Sequence, residues 1–371
     1  MDPIVQKNFG FGFMRLPMKD GEVDIPETTR MVDAFLEAGF NYFDTAHGYL
    51  GGKSELALRE CLTSRYPREK YVLTNKLTTN FFRKTEDIRP FFQTQLECCG
   101  VSYFDYYLMH SQNEALYEKY KRCRAYETAL ELKEEGLIRH FGISFHDKPA
   151  LLDQILTEYP QVEVVQIQLN YADFDDPAVE GRKCLEVCRK HHKPAIVMEP
   201  VKGGSLVNLP QEARDIFDAL KGGSYASYAI RFAAGQEGVK MVLSGMSNLQ
   251  MVLDNIGFMQ DFKPLTEKEL AAVEAVRDIF RKCDTIPCTA CNYCTQVCPK
   301  NIPIPAIFAC YNAKKLFRNW NTSYYYEDVI AVSGKSPADC IGCGACRDIC
   351  PQHLNIPELL KTVSLEFQEK R

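Results

Sequence analysis

The sequence predicts an α/β protein, a (β/α)8 (TIM) barrel followed by a smaller, mainly helical domain that binds metal. Three observations carry this. Eight short apolar runs recur between Gly10 and Gly245, longer amphipathic patterns separate them, and near Cys283 the composition shifts to closely spaced cysteines. Strands alternating with crossover helices build a parallel sheet, and eight of them close most naturally into a barrel. A chain of 371 residues suits a barrel plus a small module. The expected domains are 1–275 and 276–371.

The elements follow in order. Gly10 to Met14 (GFGFM) is the first strand; Asp24 then offers a capping oxygen with Pro26 in the first turn, so a helix is expected from there to Gly39. Asn41 to Thr45 is the second strand. Tyr71 to Lys76, Phe104 to His110, His140 to Ser144, Val164 to Asn170, Ala195 to Pro200 and Val239 to Gly245 complete the eight. Tyr126 to Glu135, closed by Gly136, and Val179 to His191 are helical patterns long enough to cover a sheet face. A last barrel-side helix is expected at Thr266 to Arg281. The rival architecture is an open doubly wound sheet, but the first strand lacks the GxGxxG turn of a dinucleotide-binding half.

Charge and hydropathy narrow the function. The formal net charge of -5, without a dominant basic run, argues against nucleic acid as a partner. No stretch reaches the roughly 18 apolar residues that would cross a bilayer, and MDPIVQKNFG does not read as an export signal, so the expected location is cytoplasmic. Sixteen cysteines in such a chain, eight of them in two tight groups, point to metal rather than disulfides.

In a barrel of this kind active sites lie at the C-terminal ends of the strands. Asp44 and Tyr49 follow the second apolar run, Lys76 ends the third and His110 the fourth. All four are titratable and would face one mouth. A lone strand-end Asp or Lys is more often a cap or a surface ion pair, and Tyr49 or His110 alone could be packing; four in series are harder to read that way.

GFGFMRLP, FDTAHGYLGGKSE, LTNK, DYYLMH, FGIS, VVQIQLNY and the late Asn255 stand in an order that resembles the aldo-keto reductase family over residues 8 to 258. The resemblance implies a catalytic tetrad of Asp44, Tyr49, Lys76 and His110, with Tyr49 as proton donor to a carbonyl oxygen on which charge develops. Lys76 would pull the Tyr49 pKa down from about 10, Asp44 would hold Lys76, and His110 would orient the substrate oxygen. A Glu in place of this His goes in the family with reduction of carbon-carbon double bonds; His110 favours carbonyl chemistry.

The resemblance also places the nicotinamide cofactor, NADPH or NADH. Gly12, Phe13 and Met14 fall in the first cofactor-contacting run, Ser144 and Gln166 where the family binds the nicotinamide amide, and Met198 where many members stack an aromatic ring. Core filling is an equal reading of Met198. Phe145 replaces the Asn that normally follows the Ser. Gly203 and Gly204 would let a loop approach the pyrophosphate, although a Gly pair is also plain turn chemistry. Asp254 and Asn255 match adenine contacts, while Gly245 and Met251 stand where cations usually grip a 2′-phosphate.

The second domain carries Cys288-x2-Cys291-x2-Cys294-x3-Cys298-Pro299, repeated as Cys340-x2-Cys343-x2-Cys346-x3-Cys350-Pro351. This is the bacterial ferredoxin pattern, in which the fourth Cys serves the other cluster. One [4Fe-4S] cluster is therefore expected on Cys288, Cys291, Cys294 and Cys350, and a second on Cys340, Cys343, Cys346 and Cys298. Zinc is the rival metal, but zinc ribbons pair two distant CxxC units. Pro305 to Trp320 looks helical, as in the helical type of ferredoxin-like domain, and Trp320 with Tyr324 to Tyr326 reads as packing or a docking face.

Two function classes compete. In one, the chain is a nicotinamide-dependent reductase of a small carbonyl or alcohol substrate with appended clusters. In the other, it is an iron-sulfur electron-transfer protein, with a redox protein partner, whose barrel is a scaffold. A channel-type subunit is a third reading, in which the clusters have no evident purpose. Nicotinamide moves two electrons as hydride and clusters move one, and no flavin signature bridges them.

Overall fold

In the computed structural model the described residues are 5–176, 179–282, 285–286, 288, 293–317, 326, 335–350 and 354–368. Eight parallel strands form a closed barrel: β1 (Phe9–Gly12), β4 (Tyr42–Asp44), β5 (Val72–Leu77), β6 (Phe104–Gln112), β7 (Ile138–Phe145), β8 (Val164–Gln168), β9 (Ala195–Met198) and β10 (Val239–Gly245). The short β2 (Met18–Lys19) and β3 (Glu22–Val23) form a separate antiparallel pair that the apolar pattern does not foretell.

The expected runs overshoot where local chemistry turns the chain. β8 stops at Gln168 because the Asn170 side chain accepts from the backbone N–H groups of Ala172 and Asp173, folding the chain into a turn. β9 stops at Met198 because Glu199 is left-handed, φ 56°. The first helix, Ile25–Glu37, begins as expected, with the Asp24 carboxylate accepting from Glu27 N–H at 3.0 Å. Such a cap contributes about 1 kcal/mol.

The barrel interior is filled from alternate positions on each strand. Tyr42, Val72, Tyr106, Leu108, Val164, Ile196, Met241 and Leu243 form one buried cluster. Four of these side chains need glycine beside them. A Cβ on Gly10 would lie 2.7 Å from Leu243 and 2.8 Å from Tyr42, and one on Gly142 would lie 2.5 Å from Val164 and 2.7 Å from Leu108. Volume missing on β1 and β7 is thus taken up by their neighbours, as close packing requires.

Contacts divide the chain into two compact units. One comprises Met1–Phe174, Val179–Lys202 and Lys221–Leu270; the other comprises Asp175–Ala178, Gly203–Leu220 and Ala271–Arg371. The second is helical, with Gln211–Asp218, Tyr293–Gln296, Ile304–Phe317, Ala345–Asp348 and Ile356–Gln368. Its core joins Ile302, Ile307, Phe308, Ile356, Leu360 and Val363 to Cys294, Cys310 and Cys346. Among the described residues no helix is long and apolar enough to cross a membrane.

Candidate active site

Register places the tetrad. Gly12 pairs with Asp44, Asp44 with Thr74, Lys76 with Leu108, Leu108 with Gly142 and Ser144 with Gln166. The partner in use lies two residues further along each time from Asp44 to Lys76, from Leu108 to His110 and from Gly142 to Ser144. A two-residue step preserves the side-chain face. Gly12, Asp44, Lys76, His110, Ser144 and Gln166 therefore all point inward at the C-terminal end of the barrel.

Tyr49 arrives by a tight turn. Leu50, Gly51 and Gly52 are successively left-handed, with φ of 53°, 66° and 91°. Two glycines make this run accessible, since any other residue is strained there. The turn is tied down from both sides. The Thr45 and Ser54 hydroxyls lie 2.7 Å apart and Ser54 donates to the Phe13 carbonyl at 3.0 Å. His47 Nδ1 sits 2.6 Å from the buried Glu55 carboxylate, whose other oxygen accepts from Asn75 at 2.8 Å and Gln95 at 3.3 Å. Gln95 also donates to the Lys76 carbonyl at 3.0 Å.

The Lys76 ammonium donates to Asp44 Oδ1 at 2.6 Å and to the Thr45 carbonyl at 2.8 Å, and lies 4.8 Å from the Tyr49 ring centre. Burial works against its charge, but Asp44 and then Tyr49 outweigh it and hold the Lys76 pKa above its ordinary value. Burial likewise raises the Asp44 carboxyl, with Lys76 pulling the other way. The second oxygen of Asp44 is buried without a hydrogen-bond partner.

Tyr49 corrects one expectation. Lys76 does draw its pKa down, but burial is the larger influence and the net position is above 10.0. Lys76 limits a rise rather than producing a fall. His110 is neutral: burial first, then Lys76 and His146, push it well below 6.5. Its Nδ1 is held 2.7 Å from the Thr78 hydroxyl, and Tyr120 donates to its carbonyl at 2.9 Å. Nε2 is the ring nitrogen left for a ligand, with the Tyr49 ring 5.8 Å away, edge-on.

The expected cofactor residues divide. Ser144 and Gln166 are buried side by side, and Gln166 Oε1 has no hydrogen-bond partner. An orphaned buried carbonyl oxygen beside a hydroxyl fits a carboxamide, which donates through its nitrogen and accepts through its oxygen. Phe13 turns into an aromatic cluster with Phe11 and Phe43, at 5.0 and 5.8 Å, so Gly12 is the inward residue of that run; Met14 is exposed. Met198 is half-buried at the end of β9. Asn255 is buried and donates to Ser244 at 3.0 Å, and Asp254 accepts from Ser224 at 2.7 Å. Gly203 and Gly204 are left-handed, φ 62° and 96°.

Gly245 has a function the motif alone did not show. The Arg15 side chain lies across it, 3.1–3.2 Å from where a Cβ would stand, and reaches Glu199 at 3.5 Å. Arg15 was visible in GFGFMRLP, but only the fold brings it to the end of β10. Thr78, Tyr120, Glu55 and Gln95 were likewise unmarked.

In the second unit a cavity is lined by Cys298, Cys340, Cys343 and Cys346 with Pro299, Lys300, Ile302, Ile304, Ile341, Gly344, Pro357 and Leu360. Four cysteines lining one cavity are the donor set that an iron-sulfur cube takes. Cys288 and Cys350 are half-buried and pack against the same hydrophobic core as the buried Cys294. Cys291 lies outside the described residues, as do Cys283, Trp320, Tyr324 and Tyr325. None of the fourteen cysteines among the described residues is in a disulfide, and Cys61, Cys99, Cys123, Cys184, Cys188 and Cys310 are buried.

A model of the aldo/keto reductase family matches residues 8–278, and a model of a 4Fe-4S dicluster domain matches residues 287–354. The uncharacterized oxidoreductase YqkF of Bacillus subtilis is 24% identical over 68% of this chain and 88% of its own length. An aldo-keto reductase of Mycolicibacterium vanbaalenii is 28% identical over 69% of this chain and 85% of its own. The solved aldo-keto reductase of Klebsiella pneumoniae in complex with NADPH superposes with a TM-score of 0.59 at 19% identity, covering 73% of this chain and 90% of that one. That likeness shows the same barrel.

Proposed function

Because the chain belongs to the aldo/keto reductase family, with a 4Fe-4S dicluster domain following in sequence, we propose that it interconverts a small carbonyl compound and its alcohol with Tyr49 as general acid and base. The observation that carries this reading is the Lys76 ammonium, held 2.6 Å from Asp44 and 4.8 Å from the Tyr49 ring, with the His110 ring 5.8 Å from that same ring.

When bound, the nicotinamide supplies the hydride to the carbonyl carbon or takes it back. Tyr49 gives its hydroxyl proton to the carbonyl oxygen as that carbon is reduced, and recovers it in the reverse direction. Lys76 stabilises the phenolate that remains, since an ammonium at this distance in a buried site favours the anion. Asp44 and the Thr45 carbonyl keep Lys76 charged and aimed. Thr78 holds His110 Nδ1, so that Nε2 serves the substrate oxygen.

Ser144 and Gln166 would receive the nicotinamide amide, with Gly12 and Met198 on the same rim, and Asp254 and Asn255 would serve the adenosine end. Without a cation at Gly245 or Met251, both NADH and NADPH belong in the assay. The dicluster domain is proposed to hold two [4Fe-4S] clusters in the crossed arrangement, within residues 276–371, and a redox protein is the proposed partner there. A cytoplasmic location suits such clusters and free thiols.

The test is NADH and NADPH oxidation with a panel of aldehydes and ketones, under anaerobic conditions, for wild type and Tyr49→Phe. Turnover should fall by at least about 100-fold, the range that general acid catalysis contributes. Carbonyl turnover that survives loss of the hydroxyl refutes the reading. The electron-transfer alternative rests on the cysteine-lined cavity and predicts cluster bleaching by NAD(P)H with no carbonyl present.

A further inference from the structure

The turn that carries Tyr49 also gathers three metal-binding atoms, apart from the tetrad. His47 lies in that turn, two residues before Tyr49; Glu55 stands in the helix Lys53–Leu58 and Cys98 in the helix Ile88–Cys99. A ring nitrogen, a carboxylate oxygen and a thiol sulfur, one from each, all lie within 4.8 Å of one another. Glu55 is the fixed member. Its Oε1 accepts from Asn75 at 2.8 Å and Gln95 at 3.3 Å, which leaves Oε2 toward His47 Nδ1 at 2.6 Å. Gln95 is three residues before Cys98, so the two share a face of their helix. Phe81 and Phe91 stand edge-on to the imidazole, with ring centres 4.6 and 5.1 Å from its own.

We propose that His47, Glu55 and Cys98 form a binding site for a zinc-type divalent cation. The inference goes beyond the reductase reading and does not depend on it. A mixed set of nitrogen, oxygen and sulfur suits borderline-soft zinc, whereas magnesium and calcium take oxygen alone. Donors at zinc distances of about 2.0–2.3 Å stand about 3.5 Å apart in a tetrahedron. Moves of about 1 Å therefore convert the hydrogen-bonded cluster into a coordination shell, and side-chain rotation supplies them. The cation takes the place of the proton between His47 Nδ1 and Glu55 Oε2 and of the Cys98 thiol proton. Both protons leave to solvent, since a ligating imidazole is neutral at that nitrogen and a ligating cysteine is a thiolate. Water completes the fourth position, as in other sites with three protein ligands.

Cys98 separates this cluster from an ordinary His–Glu hydrogen bond. Cys61, Cys99, Cys123, Cys184 and Cys188 of the barrel are buried, whereas Cys98 is half-buried. The His47 side chain is 20% exposed, so the cluster opens to solvent beside a carboxylate that is fully buried. Asn75 and Gln95 supply the outer hydrogen bonds that orient a ligating carboxylate. A cation here would fasten the Tyr49 turn to the helix Ile88–Cys99, whose Gln95 also donates to the Lys76 carbonyl.

The experiment titrates Zn²⁺ by calorimetry, and Co²⁺ by difference absorption, into the full chain under anaerobic conditions at matched iron content, for wild type, Cys98→Ala and His47→Gln. Wild type should take up one equivalent of Zn²⁺, and Co²⁺ should give the d–d bands of a tetrahedral site with a sulfur ligand. Cys98→Ala, and His47→Gln, which keeps a hydrogen-bond donor toward Glu55, should each weaken Zn²⁺ binding by at least about 100-fold, the upper end of what an outer-shell partner costs. Zn²⁺ should also raise the melting temperature of wild type and leave that of Cys98→Ala unmoved. No saturable uptake by wild type, or unchanged affinity in Cys98→Ala, overturns the proposal. Cys98→Ala decides the matter even if His47→Gln does not fold. Zinc held by the cysteines of the dicluster domain would survive Cys98→Ala and so counts against the site. Carbonyl turnover by zinc-free protein tests the reductase reading separately.

Discussion

Replacing Lys76 by Met removes the charge that limits the rise of the Tyr49 pKa. With the ammonium 4.8 Å from the ring centre and an effective dielectric constant of about 20, the lost attraction to a phenolate is about 3.5 kcal/mol. Expressed wholly in the transition state, that is about 300-fold in rate. Carbonyl reduction should therefore slow by about 30- to 300-fold. The direction of the pH effect follows from the sign. Alcohol oxidation needs the phenolate as base, Lys76 favours that form, and its removal moves the limb on which oxidation rises to higher pH. Lys76→Met alone leaves Asp44 buried and unpaired, at a cost of about 3–5 kcal/mol in stability. The comparison should therefore include Asp44→Asn/Lys76→Met, which removes both charges. The assay is the pH profile of kcat for both directions, on protein matched for iron content and circular dichroism. An unmoved limb, with rates within about 3-fold of wild type, would refute the coupling of Lys76 to Tyr49.

Two further outcomes follow from the same geometry. His110 and His146 are held neutral in the folded protein, so the unfolded chain takes up a proton at each as pH falls through about 6.5. Each costs stability with a slope approaching about 1.4 kcal/mol per pH unit, down to about 4 for His146. Melting curves from pH 7 to 4 should show this acid weakening, and His146→Phe should remove its share; parallel curves would contradict it. In the dicluster domain, Cys298→Ala and Cys340→Ala should each lose about four iron atoms per chain, and the double variant no more, whereas Cys298→Ala with Cys350→Ala should lose about eight. Iron counts showing Cys298 grouped with Cys294 would reject the crossed arrangement.

The tetrad was legible because strand parity is a local property. Asp44, Lys76 and His110 end apolar runs, and each run's last residue shares a face with the core residue two before it. Tyr49 was legible from FDTAHGYLGGKSE, five residues past Asp44. Thr78, Tyr120, Gln95 and Glu55 were not, because their meaning lies in partners 8 to 43 positions away, and nothing in a Gln or Thr marks such a partner. Arg15 shows the same limit: the missing cation at Gly245 was readable, and the Arg15 side chain lying over it was not. The net position of the Tyr49 pKa required knowing how deeply the ring is enclosed, which no spacing reveals.

The anchoring of the Tyr49 turn has a bearing on how such an enzyme diversifies. Its fixed points, Glu55, Asn75, Gln95 and Ser54, are all fully buried. The proposed acid-base group, Tyr49, thus stands in a turn anchored by buried residues of the scaffold. Residues lining the entrance can change to admit new molecules while proton transfer keeps its alignment, so innovation in substrate range and preservation of chemistry are assigned to separate parts of the chain.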